Sequence, residues 1–222
     1  MNEANWSILW EHKSYTLQLK HILALKLIEE LVIKDDTIKS IVDFGCGQGI
    51  LLNELNTRYK DSSINICGAD NNEYSRSMLN SLNIKYINFD LSCDILSEQI
   101  DIAILTDVLE HFYEPHKVIK NLSSAKYIII VVPNFSFIFE RYDVLFGKVP
   151  FEMRQARGGH CFWVNKYSMQ DMINQTDYKI IQQLNLYPKK LDFLPFLKYY
   201  DNLFATSFGY ILENTNNFKS NK

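Results

Sequence analysis

Apolar positions along this 222-residue chain recur in two alternating periods. Between Tyr15 and Lys34, residues Ala24, Leu27, Ile28 and Leu31 fall at i, i+3, i+4 and i+7, which predicts a helix with one buried face. Ser40 to Phe44 is a short apolar run that predicts a strand. Glycines interrupt it, and Leu51, Leu52 and Leu55 then mark a second helix. The rhythm repeats with a strand over Ile64 to Ala69 ending at Asp70, and a helix turning Tyr74, Met78 and Leu82 inward. Ile84 to Asn88 reads as a third strand. Ile100 to Leu105 reads as a fourth, and its unbroken apolar character fits a strand covered on both faces. Pro115 stands where a first-turn proline belongs, ahead of the helical face Val118, Ile119 and Leu122, and Tyr127 to Val132 is the fifth strand.

Five strands alternating with helices predict a parallel sheet with right-handed crossovers, the doubly wound α/β architecture. After the fifth strand the rhythm breaks. A long aromatic segment, Asn134 to Trp163, reads as an insertion that could cover a pocket as a lid. A helix near Asn165 to Gln175 follows, with Asn165 as N-cap and Met169, Met172 and Ile173 inward. Two more strands are expected at Tyr178 to Leu186 and Ala205 to Glu213, and alternation alone does not pair them. The expectation is one domain over residues 1–213, with a helical brace over 1–36 that carries Trp6, Trp10 and Tyr15, and a polar tail over 214–222.

Composition narrows the class. Hydrophobic residues make up 47% and charged residues 22%, as in an ordinary globular domain. The net charge of -3 argues against nucleic acid as a partner, because counterion release needs a concentrated basic surface. Cys46, Cys67, Cys93 and Cys161 lie far apart without a CxxC pair, so neither a disulfide framework nor a zinc knuckle is expected, and a reducing cytoplasm is the simpler location. The longest apolar run, Tyr127 to Pro133, is too short to cross a bilayer, so no membrane partner is expected.

The chemistry sits in the first glycine cluster, Asp43-Phe44-Gly45-Cys46-Gly47-Gln48-Gly49, between a strand and a helix. Without Cβ atoms, glycines let the backbone approach a ligand closely. A dinucleotide loop reads G-x-G-x-x-G and faces a pyrophosphate. Here Gly45, Gly47 and Gly49 read G-x-G-x-G, two residues after Asp43. A carboxylate there would repel a pyrophosphate and attract the ammonium of an amino-acid moiety, which argues against an NAD-linked oxidoreductase. Asp70, with Asn71 beside it, ends the second strand, where an acid accepts ribose hydroxyls.

The run Val42 to Gly49 resembles the first motif of class I S-adenosylmethionine-dependent methyltransferases, and Asp70 is similar to their second. Asn88-Phe89-Asp90-Leu91 resembles the loop after their third strand, where Asp90 would meet the adenine amino group and Leu91 would also contact the cofactor. Thr106-Asp107-Val108-Leu109-Glu110-His111 is similar to the segment after the fourth strand that passes the methionyl part of the cofactor, with Asp107 at that contact. Pro133 to Pro150 and Asn202 to Ala205 also resemble the branch containing protein W of methionine biosynthesis. The resemblance implies S-adenosylmethionine as methyl donor and S-adenosylhomocysteine as product. It also implies a seven-stranded sheet of order 3-2-1-4-5-7-6 with the last strand antiparallel.

For the acceptor, His111 lies just after the fourth strand, at the carboxyl edge where open α/β sheets bind ligands. It is a candidate to contact the acceptor or take its proton, as is His160 between Gly159 and Cys161. The competing reading packs His111 under the next helix. Asp107, Glu110 and His111 are also potential ligands of a divalent metal, but the sequence assigns Glu110 to substrate contact and no residue to a metal. Arg154 and Arg157 in the aromatic insertion would grip an anionic group of the acceptor. The expected acceptor is a small polar molecule such as a sugar, a sugar phosphate or a nucleotide-linked metabolite, methylated on oxygen. The alternative is a catalytically weak, methyltransferase-like module that binds the cofactor or supports a partner.

Overall fold

The computed structural model describes residues 16–150, 159–189 and 195–216. Helix α1 (Leu19–Lys34) leads into β1 (Ser40–Phe44), α2 (Ile50–Arg58), β2 (Asn65–Asp70), α3 (Glu73–Ser81) and β3 (Lys85–Asn88). Then come β4 (Ile100–Thr106), a 3-10 turn (Leu109–His111), α4 (Pro115–Asn121) and β5 (Ala125–Pro133). Helix α5 (Ile138–Leu145), α6 (Lys166–Ile173) and β6 (Tyr178–Leu186) follow. A 3-10 segment (Pro195–Tyr200), the short α7 (Asp201–Phe204) and β7 (Ser207–Asn214) complete the order.

The seven strands form one sheet in the order β3-β2-β1-β4-β5-β7-β6. Strands β1 to β5 run parallel, and β7 lies antiparallel between β5 and β6. Apolar side chains cover both faces of the sheet, as its continuous Ile and Val runs require. On one face Leu27, Ile28 and Leu31 of α1 and Leu51, Leu52 and Leu55 of α2 pack on Ile41, Ile104 and Ile129. On the other, Val118 and Ile119 of α4 and Met169, Met172 and Ile173 of α6 pack on Val42, Leu105 and Ile130.

The expected elements are present, with four differences of physical origin. In α3 the buried stripe is Ser75 and Leu79 rather than Tyr74, Met78 and Leu82, which are only half-buried. Leu79 fills the notch over Gly68, where an added Cβ would lie 2.3 Å from Leu79 Cδ2. Strand β7 starts at Ser207 rather than Ala205, because Ala205 donates its N–H to the Asp201 carbonyl and caps α7. The aromatic insertion contains α5, which no one-sided pattern announced, since none of its side chains is buried. Helix α1 begins at Leu19, three residues after the first described position, Thr16. The expectations for Trp6, Trp10, Tyr15, Arg154, Arg157 and residues 217–222 lie outside the described residues.

Candidate active site

The carboxyl ends of β1, β2 and β4 open into a cavity of about 360 Å³. It runs from Asp43, the glycine loop, Asp70, Asn71, Asp90 and Leu91 to Asp107, His111 and His160. The topology explains the location. Strand order reverses between β1 and β4, so their connections leave on opposite sides and part to form a crevice.

The loop takes its shape from local strain that glycine tolerates. Gly45 sits at φ +70°, and its N–H donates to the Ala69 carbonyl at 2.8 Å. A Cβ there would also lie 2.8 Å from Val108 Cγ2. Gly49, at φ +71°, is the residue from which α2 starts. Gly47 donates its N–H to Asp70 Oδ2 at 3.0 Å, while Asn72 N–H donates to Asp70 Oδ1, also at 3.0 Å. Each carboxylate oxygen therefore keeps a lone pair for the cavity while the backbone fixes its direction.

Asp90 has a second occupation. Its Oδ1 accepts from Ser92 N–H at 2.8 Å and Ser92 Oγ at 2.6 Å, and its Oδ2 accepts from Asn71 Nδ2 at 3.1 Å. These bonds hold its carboxyl below the usual range, the Ser92 hydroxyl first. Phe89 beside it meets Phe44 edge-on, with ring centroids 5.1 Å apart, and presents an apolar wall to the same cavity.

Asp43 is 4% exposed, and burial, then the neighbouring Asp70, pushes its carboxyl up to about 8, with Lys20 opposing. Lys20 projects from the first turn of α1, and its Nζ donates to Asp107 Oδ2 at 2.5 Å. Asp107 itself holds φ +51°, a left-handed conformation that Asp tolerates better than most residues. The next α1 residue, His21, accepts at Nδ1 from Gln18 N–H at 3.1 Å. Burial, then Lys20, drives its imidazole down to about 4, against the pull of Asp107. Sequence reasoning missed Gln18, Lys20 and His21. The signal available was that the first turn of an otherwise apolar helix is polar.

Glu110 and His111 occupy the 3-10 turn after β4, and Glu110 is only 1% exposed. The Glu110 carbonyl accepts from Cys161 N–H at 2.7 Å and Phe162 N–H at 3.0 Å. That pairing carries His160 into the cavity, with its ring centroid 5.0 Å from His111 and 5.6 Å from Phe135. The base of the insertion is fixed by Asn134, whose Nδ2 donates to the Ala205 carbonyl at 2.8 Å.

Comparisons with known proteins bear on the family and the fold. A family model described as a methyltransferase domain matches residues 11–183. Magnesium protoporphyrin IX methyltransferase (ChlM) from Synechocystis PCC 6803, crystallised with bound S-adenosylhomocysteine, has a similar structure. Its TM-score is 0.61 at 14% identity, over 95% of this chain and 93% of that one. The plantazolicin methyltransferase BpumL, also in complex with S-adenosylhomocysteine, gives 0.61 at 18% identity, over 95% and 89%. The methyltransferase domain of bacterial CtHen1-CN gives 0.60 at 18% identity, over 87% and 99%. No curated protein matches the sequence. The chain belongs to the methyltransferase-domain family, of the class I, S-adenosylmethionine-dependent type.

Proposed function

We propose that this enzyme transfers the donor methyl to an oxygen of a small polar acceptor, of the class of sugars, sugar phosphates or nucleotide-linked metabolites. The observation that carries the reading is the continuity of one cavity from the glycine loop to His111 and His160. Donor-binding groups line one end and a buried polar cluster the other.

At the donor end, Asp70 accepts the ribose hydroxyls, Phe89 and Leu91 flank the adenine, and Asp90 with Asn71 borders its amino edge. Gly45, Gly47 and Gly49 let the backbone lie against the cofactor. Asp43 and Asp107 attract the ammonium of the methionyl group, and Lys20 attracts its carboxylate. An amino acid zwitterion calls for both signs, and both are present within this corner of the pocket.

At the acceptor end, His111 and His160 receive the hydroxyl, and Glu110 beside them keeps the site polar. Methyl transfer is an in-line displacement, so much of the rate comes from holding oxygen, methyl carbon and sulfur in a row. The hydroxyl proton leaves through His111, and Arg154 and Arg157 are proposed to grip an anionic group of the acceptor. No helix among the described residues is long and apolar enough to cross a membrane.

The test offers sugars, sugar phosphates and nucleotide sugars to the enzyme with isotopically labelled S-adenosylmethionine and reads mass gain. Label on an acceptor oxygen, reduced at least about a hundredfold in His111→Ala, is the expected result. Binding of S-adenosylhomocysteine with no transfer to any of the three classes would favour a cofactor-binding module instead.

A further inference from the structure

Glu110, His111 and His160 bring one carboxylate oxygen and two imidazole nitrogens within 4.8 Å of one another. We propose that these three side chains bind one divalent first-row transition-metal ion, of the Mn²⁺, Fe²⁺, Co²⁺ and Zn²⁺ class, with its open coordination positions facing the acceptor. Asp107 is turned to Lys20, and His160 from the far side of the insertion completes the trio.

The donor set chooses the ion. Two imidazoles and one carboxylate suit zinc at a catalytic site and the ferrous class of non-haem sites, both of which leave positions free for substrate. Magnesium and calcium prefer oxygen donors throughout, so two nitrogens count against them. Metal–ligand bonds of about 2.0–2.2 Å put adjacent donors roughly 3.0–3.5 Å apart. The trio, within 4.8 Å, therefore contracts by about 1.8 Å at most on loading, a distance that side-chain rotation covers.

The backbone is arranged for this. Glu110 supplies a carboxylate from its side chain, and its carbonyl is the acceptor that anchors Cys161 and Phe162. One residue thus sets both a ligand and the strand of chain that delivers the third. Phe135 buttresses the His160 ring edge-on, and its own N–H is tied to the Val164 carbonyl at 2.9 Å. Such outer supports are what keep imidazole ligands aimed.

What the ion does rests on the proposed O-methylation; whether it binds does not. An acceptor hydroxyl on such an ion loses its proton far more readily, as bound water falls from a pKa of 15.7 to about 7. The proton passes to water. The alkoxide electron pair then forms the O–CH₃ bond as the S–CH₃ bond breaks, and the sulfonium keeps that pair as the thioether of S-adenosylhomocysteine. Loading the site takes the proton-accepting role from His111 and leaves it the role of ligand.

The experiment is calorimetric titration of tag-free, chelator-stripped protein with MnCl₂ and with ZnCl₂, alongside electron paramagnetic resonance of bound Mn²⁺. One ion per chain is expected, weakened at least about tenfold by His160→Ala and by Glu110→Gln, with S-adenosylhomocysteine affinity unchanged in both. The cofactor titration also certifies that each variant is folded. If only the buried Glu110→Gln misfolds, His160→Ala on the half-buried loop decides. Protein that binds S-adenosylhomocysteine but neither ion, or that binds them equally in His160→Ala, overturns the site. Acceptor methylation that proceeds at the same rate in chelator overturns the ion's part in the reaction. Stoichiometric binding lost in His160→Ala, with no acceptor methylated, supports the site and removes the O-methylation reading.

Discussion

Lys20 and Asp107 form an ion pair across the mouth of the proposed methionyl corner, although 87 residues separate them in sequence. The pair ties the first turn of α1 to the carboxyl end of β4, and it is only partly exposed, at 23% and 32%. Lys20→Met should therefore weaken S-adenosylhomocysteine binding at least about tenfold, about 1.4 kcal/mol, by calorimetry. If the lysine served only to pin α1, the loss would appear in melting temperature and not in affinity.

Asp70→Ala removes the acceptor for two backbone N–H groups, of Gly47 and Asn72, together with the proposed ribose contact. Cofactor affinity should fall by two orders of magnitude or thereabouts, roughly 2.7 kcal/mol. Asp70→Asn should recover part of it, since an amide oxygen still accepts one of those bonds. An alanine variant within twofold of the parent would refute the ribose role.

Asp43 makes a pH prediction. Its carboxyl is raised from 3.8 to about 8, so in the cofactor-free protein the neutral acid dominates at pH 6. The cofactor's ammonium favours the carboxylate, so affinity should climb between pH 6 and 8 and level off above. Asp43→Asn should flatten that rise, and comparing the two cancels the ligand's own titration. Stability runs the other way. A raised folded pKa contributes stability that is full below 3.8 and is lost as pH rises through about 8. Without cofactor, Asp43→Asn should accordingly melt several degrees higher than the parent at pH 8 and show no gain at pH 3.5.

Gly45→Ala combines a left-handed backbone with a contact of 2.8 Å to Val108 Cγ2. The backbone part alone costs about 1–2 kcal/mol. Denaturant melts should show a larger loss than this in the single variant. Adding Val108→Ala should restore the steric part and leave the backbone part. No restoration would mean that the loop shifts as a unit instead.

The fold around the candidate donor site was legible because its signals are local. Strand, Asp43, three glycines, helix and Asp70 stand in order within one stretch of chain, and each was read from its neighbours. The sheet's first five strands followed from alternation, while the place of β7 came from family resemblance, since nothing in its apolar pattern names its partners. The acceptor end was less legible. Backbone hydrogen bonds from Cys161 and Phe162 bring His160 to Glu110, and no periodicity encodes them. Lys20 and His21 were hidden in the polar first turn of a helix read for its apolar face. Helix α5 escaped because Phe139, Tyr142, Val144 and Leu145 are all exposed, so its pattern has no buried side to detect.

The position of β7 between β5 and β6 gives the molecule an order of assembly. On a ribosome, β6 emerges before the strand that must separate it from β5, so it has no edge to join until Ser207–Asn214 is made. Through that interval α1 also lacks part of its seat, because Leu23 and Leu27 lie against Gly209 of β7. The sheet's outer edge at β5 stays open, an invitation to wrong partners. The insertion lacks its footing for the same interval, because Asn134 donates its N–H to Thr206 and its side-chain amide to Ala205. A nascent chain thus has its five parallel strands in hand before the base of the insertion can be anchored.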